Sequence, residues 1–145
     1  MASYVDSGIL IKLYVREANS HAAIRAIAPR AAIPLNPLQE LEIRNTLRAL
    51  EGRSTITSAQ RAASEHELER DITVGRLLRA IPDWQRVYAL ATRLSAEHAS
   101  DTLARSLDIL HVAIAISDQA DSFVTGDRRQ LAVAERSGLS TTLVA

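Results

Sequence analysis

A chain of 145 residues, 47% hydrophobic and 23% charged, is long enough for one domain with a real core, and its composition is neither disordered nor membranous. Seventeen basic side chains balance seventeen acidic ones, which excludes a strongly positive nucleic-acid tail but not a local basic face. The absence of cysteine removes disulfides, thiolate metal sites and a cysteine nucleophile.

No apolar run reaches membrane-spanning length, and no basic segment leads into an apolar signal core at the start. The expectation is a cytoplasmic protein without membrane contact. Lys12 is the only lysine, all other basic residues being arginine. Codon bias accounts for arginines on solvated faces, while a planar guanidinium also suits phosphate contact.

Tyr4-Val5-Asp6 reads as a strand ending at Asp6, followed by a helix through Ile9, Leu10, Leu13 and Tyr14 with Ser7 as its N-cap. Asp6 then stands at the carboxyl edge of a sheet, where open α/β folds place their sites. Taken alone, an Asp there is an ordinary turn or cap residue. A short helix from Asn19 or Ser20 ends at Pro29, and Ala31–Leu35 is a short strand interrupted by Pro34. Pro37 opens an amphipathic helix with Ile43, Leu47 and Leu50 on one face, closed by Gly52. Glu40 and Glu42 lie in its early turns and point in different directions. A first-turn acid is favoured there by the helix dipole alone.

Thr57-Ser58 caps a long polar helix that the pattern carries through Leu68 to Leu77, Leu78 and Ile81, with an irregularity at 73–75. Pro82-Asp83 starts another, through Trp84, Val87, Leu90 and Leu94. Neither shows any chemistry. The segment 105–116 is different. Leu107, Leu110 and Ile114 fall on one stripe and Ile109, Val112 and Ile116 on the next, which describes a buried helix. Its Asp108 needs a reason, because an unpaired buried carboxylate is costly. Ser122–Thr125 reads as a buried strand broken by Gly126. Asp127 then begins a helix closed by Gly138, with Asp-x-x-Gln spacing close to a capping box, and Leu143-Val144 is the last strand.

With no linker and no repeat, this order indicates one domain over residues 1–145, a three-layer α/β/α sandwich with a mainly parallel central sheet. If the strands before Asp6 and Asp127 are parallel neighbours, both acids leave the same sheet edge, with Asp108 and Glu42 near the starts of two helices. Carboxylates brought together repel and raise one another's pKa values. A divalent cation removes that conflict, and hard oxygen ligands without cysteine select Mg²⁺ or Mn²⁺ over zinc. Such a site polarises a phosphodiester and activates water.

YVDSGILIKLY, LEIRNTL, RSLDILHVAIA and FVTGDRRQLA, in that order over roughly residues 3 to 140, resemble the PIN-domain ribonucleases of the VapC toxin type. The resemblance implies a PIN-like sandwich, Mg²⁺-dependent endonucleolytic cleavage of RNA, a small cognate antitoxin as partner and a homodimeric assembly. It assigns Asp6, Glu42, Asp108 and Asp127 to catalysis and Asp6, Asp108 and Asp127 to the metal; Glu40 does not match. Ser7 and Thr125 become hydroxyl neighbours that orient carboxylates, water or phosphate. Arg105 and Arg128 become candidates for phosphate or partner contacts. Two positions depart from the pattern: Gly8 stands where many relatives have a small hydroxyl residue, and Arg128-Arg129 follow Asp127 in place of a further acid. His111 is placed as a packed or supporting histidine.

Two other classes remain. A phosphoacceptor receiver domain also gathers acids at a sheet edge, but it needs an adjacent acid pair after the first strand and a late lysine. Here Ser7 follows Asp6, and the only lysine is Lys12. A catalytically silent PIN-like module that binds RNA or protein is the nearer alternative.

Overall fold

The protein is described by a computed structural model covering residues 2–30 and 32–145. In chain order the elements begin with β1 (Ser3–Val5), α1 (Ser7–Leu10), a 3-10 turn at Ile11–Leu13, α2 (Ser20–Ile27), β2 (Ile33–Leu35), α3 (Pro37–Gly52) and α4 (Ser58–Thr73). They continue with β3 (Leu77–Arg79), α5 (Trp84–Thr102), α6 (Ser106–Ser117), β4 (Ser122–Thr125), α7 (Arg128–Arg136) and β5 (Ser140–Leu143). Two compact units result: one joins the residues up to Asp6 to Ile81–Ala145, and the other is Ser7–Ala80. The expected strand start at Ala31 and the Met1 end of the expected domain lie outside the described residues.

In the first unit, β1, β4 and β5 form a parallel sheet in that order, with Tyr4 opposite Phe123 and Val5 opposite Val124. The Asp6 N–H donates to the Val124 carbonyl at 2.9 Å, so the pairing continues one residue past β1. The Tyr4 and Phe123 rings stack with centroids 5.2 Å apart. Helix α7 packs on β4 and β5, and α5, α6 and α7 pack against one another. Val133 and Ala134 of α7 are fully buried, as is every residue of α6 from Val112 to Ala115. Burying a side chain of Val or Ile size contributes about 1.5–3 kcal/mol, so this apolar helix anchors the unit. Its apolar stripe is covered only from Ile109 onward. Leu107, in the first turn, is 50% exposed.

In the second unit, β2 and β3 pair in parallel, with Ile33 opposite Leu77. Helix α3 starts as its sequence indicates, with Pro37 in the first turn. The Asn36 side chain accepts from the Gln39 N–H, and the Gln39 side chain accepts from the Asn36 N–H, each at 2.8 Å. Thr57 and Gln60 form the same reciprocal cap on α4. That helix does not run on to Ile81. It ends at Thr73, Gly75 takes a φ of +81° that an L side chain resists, and Leu77–Arg79 forms a strand. Only Leu77 of that strand is buried, so no alternation marks it in the sequence.

Two smaller differences concern caps and ends. Ser7 is the first residue of α1, not its cap, and the last strand begins at Ser140, just after Gly138 at φ +89°. The expected α/β class holds, and each strand pair is parallel. The strands lie in a three-stranded and a two-stranded sheet.

Candidate functional site

Because β1 and β4 are parallel neighbours, Asp6 and Asp127 leave the sheet at its carboxyl edge, as the sequence required of a shared site. Asp127 is exposed and caps α7: its Oδ1 accepts from the N–H groups of Arg129 at 2.8 Å and Gln130 at 3.1 Å. Asp108, partly exposed in the first turn of α6, accepts the Arg105 N–H through Oδ2 at 3.0 Å. A carboxylate at a helix start is stabilised by the dipole as well as by these bonds. Both acids therefore cap helices, with one carboxylate oxygen in these bonds and the second left for another partner.

Gln130 touches all three acidic residues, Asp108 through its main-chain carbonyl. It is 1% exposed. Its Nε2 lies 3.4 Å from Asp6 Oδ1 and 3.5 Å from the Asp108 carbonyl oxygen, and its backbone N–H donates to Asp127. At the other end of the amide, Thr125 Oγ1 donates to Oε1 at 2.6 Å and accepts the Asp127 N–H at 3.0 Å. The buried Thr125 hydroxyl thus ties the turn after β4 to the amide. Sequence reasoning found Thr125 and saw Gln130 only as the end of a capping box. Its side chain departs from that role, and the spacing alone gives no sign of it.

His111 is 2% exposed. Its Nδ1 shares a 2.6 Å hydrogen bond with the Tyr4 hydroxyl, and its Nε2 is 3.8 Å from Asp6 Oδ1. The histidine is packed, as expected, and it also stands beside the first acid.

In the second unit, the buried Ser7 donates through Oγ to Glu42 Oε1 at 3.1 Å. Glu40 is engaged differently. Arg79 donates to both of its oxygens at 2.9 Å, and Arg44 donates twice to Oε2, at 3.1 and 3.0 Å. The Arg79 bonds first, and those of Arg44 after them, hold the Glu40 carboxyl below its usual range against the opposing effect of burial. Glu40 is thus ion-paired with both Arg79 and Arg44. Arg105 and Arg128 are exposed.

Among the described residues, no group of three or more His, Cys, Asp or Glu side chains is placed to hold a metal ion. The chemistry of the donors nevertheless suits a hard divalent cation. All are carboxylate oxygens, Asp108 and Asp127 each keep one oxygen outside their capping bonds, and the chain has no thiolate.

The class defined by these features is an α/β protein with an acidic carboxyl edge on a parallel sheet, supported by a buried hydroxyl and a buried amide. The PIN domain family model matches residues 3–136, and the chain belongs to that family. The match runs through both units, and domains of this family are generally nucleases. Two crystal structures share the fold. One is VapBC2 from Rickettsia felis bound to a DNA fragment from their promoter, at 14% identity over 99% of this chain and 98% of that one, with a TM-score of 0.68. The other is FitAcB from Neisseria gonorrhoeae, at 15% identity over 97% and 96%, also with a TM-score of 0.68. No curated protein matches. Among the described residues, no helix is long and apolar enough to cross a membrane.

Proposed function

We propose that this chain is a metal-dependent endoribonuclease of the VapC type, acting as the toxin of a toxin–antitoxin pair. The observation that carries the reading is the Gln130 junction, where one buried residue touches the Asp6 carboxylate, the Asp108 carbonyl and the Asp127 cap. Asp6, Asp108 and Asp127 are the residues that would hold Mg²⁺, with Mn²⁺ able to substitute. When bound, the ion supplies charge neutralisation at the phosphate and lowers the pKa of an attacking water. Glu42, oriented by Ser7, is included among the catalytic acids on the family resemblance. Thr125 holds the turn that presents Asp127, and Arg105 and Arg128 contact phosphate or partner. No side-chain nucleophile is required, and the products are 5′-phosphate ends.

The partners follow from the same reading: an RNA substrate, a cognate antitoxin, and a second copy of the chain in a cytoplasmic homodimer. The likeness to VapBC2 and FitAcB supports the antitoxin pairing. The family match across both units supports a single functional domain over residues 1–145.

The test is cleavage of structured RNA with and without Mg²⁺ by the wild-type protein and by Asp6→Asn, Asp108→Asn and Glu42→Gln. Cleavage that needs Mg²⁺ and is lost in the folded variants is expected; full activity of Asp108→Asn would sink the mechanism. The catalytically silent reading is kept alive by the capping work that Asp108 and Asp127 already perform. A wild-type protein that gains no thermal stability at millimolar Mg²⁺ or Mn²⁺ would favour it.

A further inference from the structure

We propose that Gln130 is the positioning residue of the acidic edge: its amide, oriented by Thr125, sets where the Asp6 carboxylate stands relative to Asp108. The inference rests on the metal-site reading given above and names a residue that the reading does not include.

Among the described residues, three helices begin with a capping residue followed three positions later by glutamine. In α3 and α4 the glutamine folds back, Gln39 and Gln60 each accepting the backbone N–H of their cap residue at 2.8 Å. That is the ordinary use of such a glutamine. In α7 it does not happen. The Asp127 N–H goes to Thr125 Oγ1 instead, and Gln130 extends into the unit, 1% exposed. A buried polar side chain that gives up a local bond must find others.

The partners decide which way the amide faces. Thr125 Oγ1 accepts the Asp127 N–H and donates its hydroxyl hydrogen to Gln130 Oε1 at 2.6 Å. Nε2 is then the donor end, and the two groups it faces, Asp6 Oδ1 and the Asp108 carbonyl, are both acceptors. A reversed amide would place oxygen against oxygen at both contacts. The contact at the Thr125 end is short and those at the acid end are 3.4 and 3.5 Å, so the amide is anchored on the sheet side and reaches toward the acids. Being neutral, it lends Asp6 a hydrogen bond and leaves the local charge unchanged. A glutamate here would add a further anion beside Asp6, and a lysine would compete with a cation for it.

The test compares wild type with Gln130→Leu and Gln130→Glu. It uses Mn²⁺ as the probe, calorimetric titration and thermal midpoints as readouts, and kcat and KM on a structured RNA. Outer partners of metal-binding carboxylates affect affinity or activity by about 10–100-fold. Gln130→Leu is expected to raise the half-saturating Mn²⁺ concentration about tenfold and lower kcat with little change in KM. Gln130→Glu retains an acceptor for Thr125 and loses the donor to Asp6. Its thermal midpoint is expected to fall without metal and to recover with Mn²⁺ by more than the wild-type gain. Wild-type Mn²⁺ affinity and kcat in a folded Gln130→Leu overturn the inference alone. If that variant does not fold, a Gln130→Glu protein with the wild-type Mn²⁺ response overturns it. A wild-type protein indifferent to Mn²⁺ overturns the metal reading and this inference with it.

Discussion

Tyr4 on β1 and His111 on α6 are joined by a hydrogen bond of 2.6 Å between the phenol and Nδ1, and the other face of the imidazole looks toward Asp6. This buried pair couples the most apolar helix to the strand that delivers the first acid. Tyr4→Phe keeps the stacking on Phe123 and deletes only the hydroxyl. We predict a loss of about 1–3 kcal/mol in urea unfolding, the cost of leaving a buried polar group with one partner fewer. Unchanged stability would show that the imidazole is held by its other contacts.

At Asp127 the helix cap can be tested apart from the proposed catalytic role. Asparagine accepts the same two N–H groups, so Asp127→Asn should stay within about 0.5 kcal/mol of wild type, whereas Asp127→Ala should lose about 1 kcal/mol. Both should lose most RNA cleavage. An Asp127→Asn protein that cleaves normally would reduce this acid to a helix cap.

Alkaline unfolding should report Tyr14. Burial, followed by the 2.7 Å bond to Asp71, pushes its phenol well above the ordinary range. The folded state therefore favours the protonated phenol, and its contribution is complete below the unfolded value of about 10. Above that pH the unfolded chain releases the proton and the contribution declines. Tyr14→Phe should be about 1 kcal/mol less stable at neutral pH, with the gap closing in denaturation curves taken above pH 10. A gap that does not change with pH would contradict the assignment.

Acid should reveal Glu40 in the opposite sense. Its carboxyl is held low by Arg79 first and Arg44 second, so its contribution is full above the unfolded value of about 4.3 and is lost as pH falls through the lower folded value. Glu40→Gln should cost about 1 kcal/mol at pH 7 and almost nothing in strong acid. It should also leave RNA cleavage intact, in contrast to Glu42→Gln. Equal loss of cleavage in both variants would remove the distinction between the two glutamates.

The elements that carry strong local chemistry were legible. Pro37 and Gly52 bound α3 at the residues the sequence indicates, the apolar run of α6 is buried, and β1 and β4 place Asp6 and Asp127 on one edge. What escaped depends on tertiary partners. β3 has one buried residue and is a strand because β2 is there to pair with it. Leu107 fits the helical stripe yet stands half exposed in the first turn of α6. Gln130 follows a capping pattern that Thr125 pre-empts by taking the Asp127 N–H, and its amide turns instead to acceptors at Asp6, just past β1, and Asp108 on α6.

The pairing of β1 with β4 also has a consequence in time. The second unit, Ser7–Ala80, is continuous in sequence, so its contacts can form as soon as those residues leave the ribosome. The strand that precedes it must wait. Ser3 meets Ser122 only after more than a hundred further residues have been made, and Asp6 meets Gln130 later still. The acidic edge is therefore among the last parts of the chain to be assembled, and we predict that ribosome-bound chains halted before β4 emerges, which present Asp6 and Glu42 but not Asp127, do not cleave RNA. Cleavage by such stalled chains would show that the edge is not needed.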